Sequence, residues 1–414
     1  MVKTVFSTLS VSTRIGLVAL CAATFTAITS ELAPVGLLLD MARAFNISTG
    51  RAGLAVSAYA LIVTVAAVPL TVLTARVERK RLLLIALSGY VVSNLISAFA
   101  PTFGIVCFGR AIGGGAHALL MSMVSAYAAH LVPKKLTGRA ISFVFGGSSM
   151  GGVLGVPGTA AISQLAGWRV ALMVVAGLAA VLTVLIAVCL PPVIKPAGRP
   201  SGPYKVPRES VRAFAWVISA NALFFVGHNV VYTYIAPLLM AHGLPETSVS
   251  VALLIIGVFS LSGLWASGLM VDRWPRVGVL ASGAAISLGI GLLGGQFMPA
   301  WGGVGVAALW CAGYASIIPF MMSGAIRARA TTADTAGAAI NSTSNLGILL
   351  GSALGGQLLA VYGVSVLVPV ALGVCALSML VILLSGNAFP AHLGEHEDEE
   401  AAEQVCAERG PLMT

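Results

Sequence analysis

Charge is what this sequence lacks most. Only 9% of its 414 residues are Asp, Glu, Lys or Arg, against 58% that are hydrophobic, whereas a soluble domain is about 25% charged. So little charge cannot wet a globule of this size, which argues against a soluble all-helical protein. Clustered chemistry is missing as well. The six cysteines (Cys21, Cys107, Cys189, Cys311, Cys375, Cys406) are scattered, and five fall inside apolar runs. With no CxxC and no Cys/His cluster they read as small packing residues, without a disulfide frame or a metal site. No HExxH or DxxD grouping lies in or beside an apolar run, so a membrane-embedded enzyme is disfavoured and no cofactor is implied.

Acidic residues are scarcer than basic ones, but their positions remove the nucleic-acid reading. Seven of the fourteen acidic residues lie between Glu395 and Glu408, leaving 22 basic against 7 acidic residues in the first 394. The basic residues sit in short stretches between apolar runs without aromatic interleaving, a topology signal and not a nucleic-acid footprint.

What is present in abundance is apolar sequence, with 47 glycines available for close helix packing. A span needs about 20 mostly apolar residues. Twelve stretches qualify, near 14–39, 50–74, 81–100, 103–128, 139–162, 168–190, 211–241, 247–271, 277–298, 301–323, 336–360 and 363–386. The first is too long for the ~7–15-residue core of a signal peptide. With both termini inside, nineteen Lys and Arg fall in cytoplasmic connections and three (Arg43, Arg51, Arg169) in outer ones, leaving Arg110 within a span. The expected fold is therefore all-α and integral to the membrane, with twelve helices and both termini in the cytoplasm.

Residues 191–210 (PPVIKPAGRPSGPYKVPR and flanks) are rich in Pro and basic residues and read as a cytoplasmic linker between two six-helix bundles, 1–190 and 211–386. Two internal echoes agree with that division. Ser30-Glu31-Leu32-Ala33-Pro34 matches Thr233-Tyr234-Ile235-Ala236-Pro237, and the connection around Arg76-Val77-Glu78-Arg79 matches Asp272-Arg273-Trp274-Pro275-Arg276. A duplicated six-helix unit is a transporter arrangement, with the solute site between the halves near the midplane. The acidic tail, 387–414, is expected to be disordered, and His392 and His396 read as part of that solvated tail and not as metal ligands.

Glu31 is the only acidic residue deep in a span and Arg110 the only similarly placed arginine. A buried charge in lipid costs about 2.5–3.5 kcal/mol on insertion scales and needs a cavity or partner. Both lie on the order of 10 Å below the outer surface at ~1.5 Å per residue, so a Glu31–Arg110 pair is expected, either exchanging protons at Glu31 or acting as a static lock. His117, two turns beyond Arg110, falls on nearly the same face; an unperturbed imidazole titrates near pH ~6.5, fit for proton relay, for solute binding or simply for an interhelical hydrogen bond. In the seventh span Asn221, His228 and Tyr232 share a face at i, i+7 and i+11, with Tyr234 beyond, and in the eleventh Asn341 and Asn345 are one turn apart. These are candidates for the wall of a solute cavity, against the alternative that they only join helices or sit in the interfacial belt.

Taken together, these segments resemble the major facilitator superfamily, in its twelve-helix drug:proton antiporter group and near the bacterial sugar-efflux, arabinose-efflux and chloramphenicol-resistance-like exporters. The resemblance covers about 14–386 and is carried by Glu31 to Asp40 (ELAPVGLLLD), by 52–60 (AGLAVSAYA), by Arg110 to His117 (RAIGGGAH), and by Gly151 to Gly158 (GGVLGVPG) with Gly167-Trp168-Arg169. It implies a cytoplasmic gate at Arg76, Arg79, Asp272, Arg273 and Arg276. It also implies an antiporter motif at Gly147, Gly151, Gly155 and Pro157, with Gly146 to Gly155 letting the fifth helix approach a neighbour across the domain interface and Pro157 permitting a bend. The sequence departs from the family pattern at Thr71 and Ala75 in the first gate loop, and by one residue after Pro157. The expectation is a monomeric, proton-coupled exporter of a small neutral or weakly polar solute in the bacterial inner membrane, or an uptake symporter or uniporter of the same architecture.

Overall fold

The computed structural model describes residues 11–74, 77–133, 136–190, 206–271, 273–295 and 299–390. Among these the chain is entirely helical. Twelve helices are long and apolar enough to cross a membrane: α1 Ser12–Gly36, α2 Thr49–Leu73, α3 Arg79–Ala98, α4 Phe103–Met121, α5 Arg139–Ala166, α6 Trp168–Cys189, α7 Arg208–Tyr232, α8 Glu246–Met270, α9 Pro275–Leu293, α10 Ala300–Arg327, α11 Thr335–Tyr362 and α12 Val364–Leu384. Most of the linker, and the tail from 391 on, lie outside the described residues.

The packing repeats. In the first six helices α1 packs on α5 and α6, α2 on α4, and α3 on α4 and α6; in the second six α7 packs on α11 and α12, α8 on α10, and α9 on α10 and α12. Every pair in the second set is the counterpart, six spans on, of a pair in the first. The two sets meet along two seams, α2 against α11 and α5 against α8, and these seams too exchange under the same correspondence.

Three proline effects shape the helices. Pro34 lies near the end of α1, which stops at Gly36; a short helix, Leu38–Ala44, then continues the apolar run. At the matching place α7 stops at Tyr232 and resumes as Ile235–Ala241, which carries Pro237. Within α5, Gly151–Gly155 widens into a single π-turn immediately before Pro157. Proline supplies no N–H to the carbonyl four residues back, and a π-turn is one way for a helix to absorb the loss.

Candidate functional site

The site in the first six helices begins with that missing donor. Pro34 leaves the Ser30 carbonyl without its intrahelical N–H, and Arg110, fully buried on α4, supplies the replacement. Its Nη1 donates to the Ser30 carbonyl at 2.5 Å, Nη2 to the Glu31 carbonyl at 2.7 Å, and Nε to the Ala55 carbonyl of α2 at 3.3 Å. The guanidinium also lies over the Tyr59 ring, 4.4 Å from its centroid. The expected side-chain pairing of Glu31 with Arg110 is thus corrected: the two residues meet, but the arginine binds main chain, because in hydrocarbon an orphan carbonyl needs a donor as much as a charge needs a partner.

The buried Glu31 carboxylate turns instead to His117, with Oε2 3.7 Å from Nδ1. That is beyond hydrogen-bond range, and the contact is ionic only when the imidazole is protonated. His117 stands edge-on to Tyr59 at 5.7 Å, and Asn94 donates to the Ser30 hydroxyl at 3.0 Å. Glu31, Arg110 and His117 are therefore brought together. Tyr59 and Asn94 complete the cluster and went unnoticed in the sequence, where an aromatic or amide in an apolar run carries no mark of its neighbours.

In the second six helices His228 is sandwiched between two tyrosines. Its ring stacks on Tyr314 of α10 at 3.4 Å and 6°, and on Tyr232 at 4.7 Å and 23°, with Trp310 tilted against it at 5.1 Å. Phe225 meets the edge of Tyr314 at 5.1 Å. Trp310 and Tyr314 were not anticipated; their i, i+4 spacing on α10 was the available signal. The amides are less free than expected. Asn221 is buried and donates to the Ile340 carbonyl and the Thr343 and Ser344 hydroxyls at 3.0–3.3 Å, pinning α7 to α11. Asn345 donates to the carbonyl and side-chain oxygen of Asn341 at 3.0 and 3.3 Å. Tyr234 is displaced from the predicted wall altogether: its hydroxyl donates to the Ser352 carbonyl at 2.7 Å and reaches the Gly50 carbonyl at 3.3 Å. The break after Tyr232 rotates it off the face that carries His228.

Contacts across the seams gather towards the end that the basic residues place outside. Arg43 bonds Glu246 at 2.5 and 3.2 Å and Asp40 at 2.5 Å, Ser163 donates to Asp40, and Gln164 donates to the Glu246 carbonyl and accepts from Ser250, both at 3.2 Å. Along the other seam Gly50 lies against Gly356 and Ser57 bonds Ser352 at 2.6 Å, while Ser342, nearer the cytoplasmic end, donates to the Thr64 carbonyl at 2.6 Å. This is an arrangement closed on its outer side. Hydrogen bonding to Glu246, and then to Asp40, pushes the Arg43 pKa above its ordinary value.

The glycine motif needs a second correction. A Cβ on Gly151 would meet the Phe25 carbonyl and Ile28, one on Gly155 would meet Thr29, and Gly147 faces Cys21 and Thr24, all on α1 of the same half; Gly146 and Gly152 face open space. The stripe brings α5 against α1. Across the seam, Val153 meets Gly257 of α8. Of the gate residues, Arg76 and Asp272 lie outside the described residues. Arg79 is buried. Arg273 lies 5.8 Å from the Trp274 ring, and Arg276 donates to the Leu383 carbonyl at 3.0 Å, so both engage their own half.

Among the described residues no three His, Cys, Asp or Glu side chains gather to hold a metal. The sequence pattern of the Major Facilitator Superfamily matches residues 18–352. A chloramphenicol efflux pump of Mycobacterium tuberculosis is 32% identical over 362 residues, covering 84% of this chain and 86% of the pump. A probable sugar efflux transporter of Mannheimia succiniciproducens is 27% identical over 342 residues, 81% and 85% of the two chains. An inner membrane transport protein of Escherichia coli O157:H7 is 27% identical over 382 residues, 90% and 96%. The fold matches a bacterial homologue of the human lysosomal transporter Spinster, solved inward-facing and unoccupied, with a TM-score of 0.70 at 14% identity over 93% of this chain and 99% of that one. Twelve spans, repeated packing and a family match over most of the length lead to one conclusion: the chain belongs to the major facilitator superfamily of membrane transporters.

Proposed function

We propose that this transporter is a proton-coupled exporter, moving a small neutral or weakly polar solute out of the bacterial cytoplasm across the inner membrane as a monomer. The observation that carries the reading is Glu31: a buried carboxylate 3.7 Å from an imidazole nitrogen, in spans almost devoid of other acids. The relatives, a chloramphenicol efflux pump and a probable sugar efflux transporter, point to export of uncharged compounds.

In this reading the bundles 1–190 and 211–386, joined by the linker 191–210, rock about the midplane. With the outer side open, Glu31 takes a proton from the medium; with the inner side open it releases the proton as solute binds, and His117 responds to the charge on Glu31. Coupling requires that the loaded and unloaded forms favour different conformations. Arg76, Arg79, Asp272, Arg273 and Arg276 would stabilise the inner closure, and the α5 π-turn before Pro157 would let that helix bend between the two states.

The test uses inverted membrane vesicles acidified inside, with chloramphenicol as the probe. Uptake driven by the pH gradient is expected in the native protein. It should vanish in Glu31→Gln, while gradient-free exchange of labelled for unlabelled solute persists. Gradient-driven uptake surviving in Glu31→Gln removes the proton role, and accumulation in right-side-out vesicles in place of inverted ones identifies an uptake carrier.

A further inference from the structure

We infer that the Tyr314–His228–Tyr232 stack is the specificity-determining wall of the solute site, and that it selects solutes bearing a flat aromatic ring. The inference rests on the transporter reading above and adds the substrate class.

The stack is built from two helices of one half. Phe225, His228 and Tyr232 recur at i, i+3 and i+7 on α7, and Trp310 and Tyr314 at i, i+4 on α10, so one face of each helix supplies the rings. Its back is sealed and its front is open: His228 and Trp310 are buried, whereas Tyr232 and Tyr314 are only half-buried. One face of Tyr314 is covered by His228 at 3.4 Å. The ring lies within electrostatic reach of Glu31 in the other half. Tyr314 therefore borders the cleft between the halves, half-buried, with His228 on one ring face and Phe225 at 5.1 Å. A second aromatic plane laid there would extend the stack, an arrangement that π systems favour when offset.

The polar groups beside the stack suit such a solute better than one with many hydroxyls. A polyhydroxy solute needs many donors and acceptors. The amide N–H groups of three residues here are already engaged: Asn221 on Ile340, Thr343 and Ser344; Asn345 on Asn341; and Asn229 on the Phe225 carbonyl at 2.9 Å. Buried and without a hydrogen-bond partner among the described atoms of this half are Thr233 Oγ1, His242 Nε2, the side-chain oxygens of Asn221 and Asn345, and, in the stack itself, His228 Nδ1 and Trp310 Nε1. Buried polar atoms are normally satisfied, so the last two can serve one or two polar groups on a solute. A ring with a small polar substituent fits the two groups of the stack, His228 Nδ1 and Trp310 Nε1.

The experiment compares two probes that share one head group, phenyl β-D-galactoside and cyclohexyl β-D-galactoside, binding to the full-length protein in lipid nanodiscs. The native protein should bind the phenyl compound about three- to tenfold more tightly, the range of one aromatic pair expressed as affinity. Tyr314→Leu should abolish the preference, whereas Tyr314→Phe, which keeps the ring, should retain it. Tyr232→Leu, on the far side of His228, should reduce it less. Should Tyr314→Leu fail to fold, as judged by gel filtration, Tyr314→Ile and Tyr314→Met make the same ring-less comparison. Equal affinity for the two probes in the native protein, or a preference unaltered in the ring-less variants, overturns the inference. Failure of proton coupling alone is distinguishable: the Glu31→Gln vesicle result would then be negative while the phenyl preference and its dependence on Tyr314 persist.

Discussion

The outer seam can be wedged open with a single methyl group. Gly50 at the start of α2 lies so close to α11 that a Cβ placed on it would sit 3.0 and 3.2 Å from the Gly356 carbonyl carbon and Cα, with the carbonyl oxygen nearer still; a Cβ on Gly356 would meet the Gly50 carbonyl oxygen and Tyr234 Oη at 2.6 Å. Carbon atoms settle at roughly 3.5–4.0 Å. The atoms in the way are backbone, which cannot swing aside as a side chain does. Gly50→Ala should therefore cost about 1–3 kcal/mol, the usual range for overpacking, but only while the two halves touch there. A state with the outer side open escapes the clash, so the population should move towards it by about 5- to 150-fold. The readout is a membrane-impermeant maleimide reacting with Val249→Cys, a buried position lining the outer crevice with Val35 and Gly36, in a background lacking the native cysteines. Labelling should accelerate in Gly50→Ala and stay unchanged in Gly146→Ala, whose Cβ would meet nothing within 4 Å. Gly347→Ala gives the complementary control. Its clash, 2.6 Å from the Ala222 carbonyl, lies within one half and should lower thermal stability without opening the crevice. Unchanged labelling in Gly50→Ala, with the protein folded, would refute the assignment of this seam as the outer closure.

Other consequences are open to measurement. Neutralising the outer latch with Glu246→Gln should release ~0.2–1 kcal/mol, as exposed pairs are screened, and raise Val249→Cys labelling by at most about fivefold, with Arg43→Glu/Glu246→Arg restoring closure. Because the Arg43 pKa is raised by Glu246 and Asp40, its contribution is complete below the ordinary arginine range and lost only as pH climbs through the raised value. Arg110→Lys cannot serve the Ser30, Glu31 and Ala55 carbonyls together, and should destabilise the protein by roughly 1–3 kcal/mol per stranded group in thermal unfolding. Adding Pro34→Ala, which returns an N–H to the Ser30 carbonyl, should recover part of that loss, a coupling a double-mutant cycle can read.

The lipid-crossing architecture was legible because hydrocarbon imposes it residue by residue: apolar runs of span length recur twelve times, and arginine and lysine mark one side. Helix breaks were not. The run from 14 to 39 reads as continuous, yet α1 ends at Gly36 and a separate helix starts at Leu38, since hydropathy does not register a lost backbone donor. Glu31 and Arg110 stood out as charges that need company. That company turned out to include main-chain carbonyls, which every residue carries and no sequence distinguishes. The Gly147–Gly151–Gly155 stripe announced close packing but not its partner, α1. Tyr314 was hidden for a related reason: a tyrosine in an apolar span acquires meaning only from the imidazole that lies against it.

The binding of Arg110 to main chain has an electrical consequence. A guanidinium bonded to three carbonyls places a positive charge beside Glu31 in this conformation. If Glu31 carries the proton, the buried pair alternates between neutral and a net charge of one, with the loaded form positive. A membrane potential, worth ~2.3 kcal/mol per charge per 100 mV, then favours the loaded form facing the negative interior. Transport of an uncharged solute should consequently speed up with voltage even when no pH gradient is present.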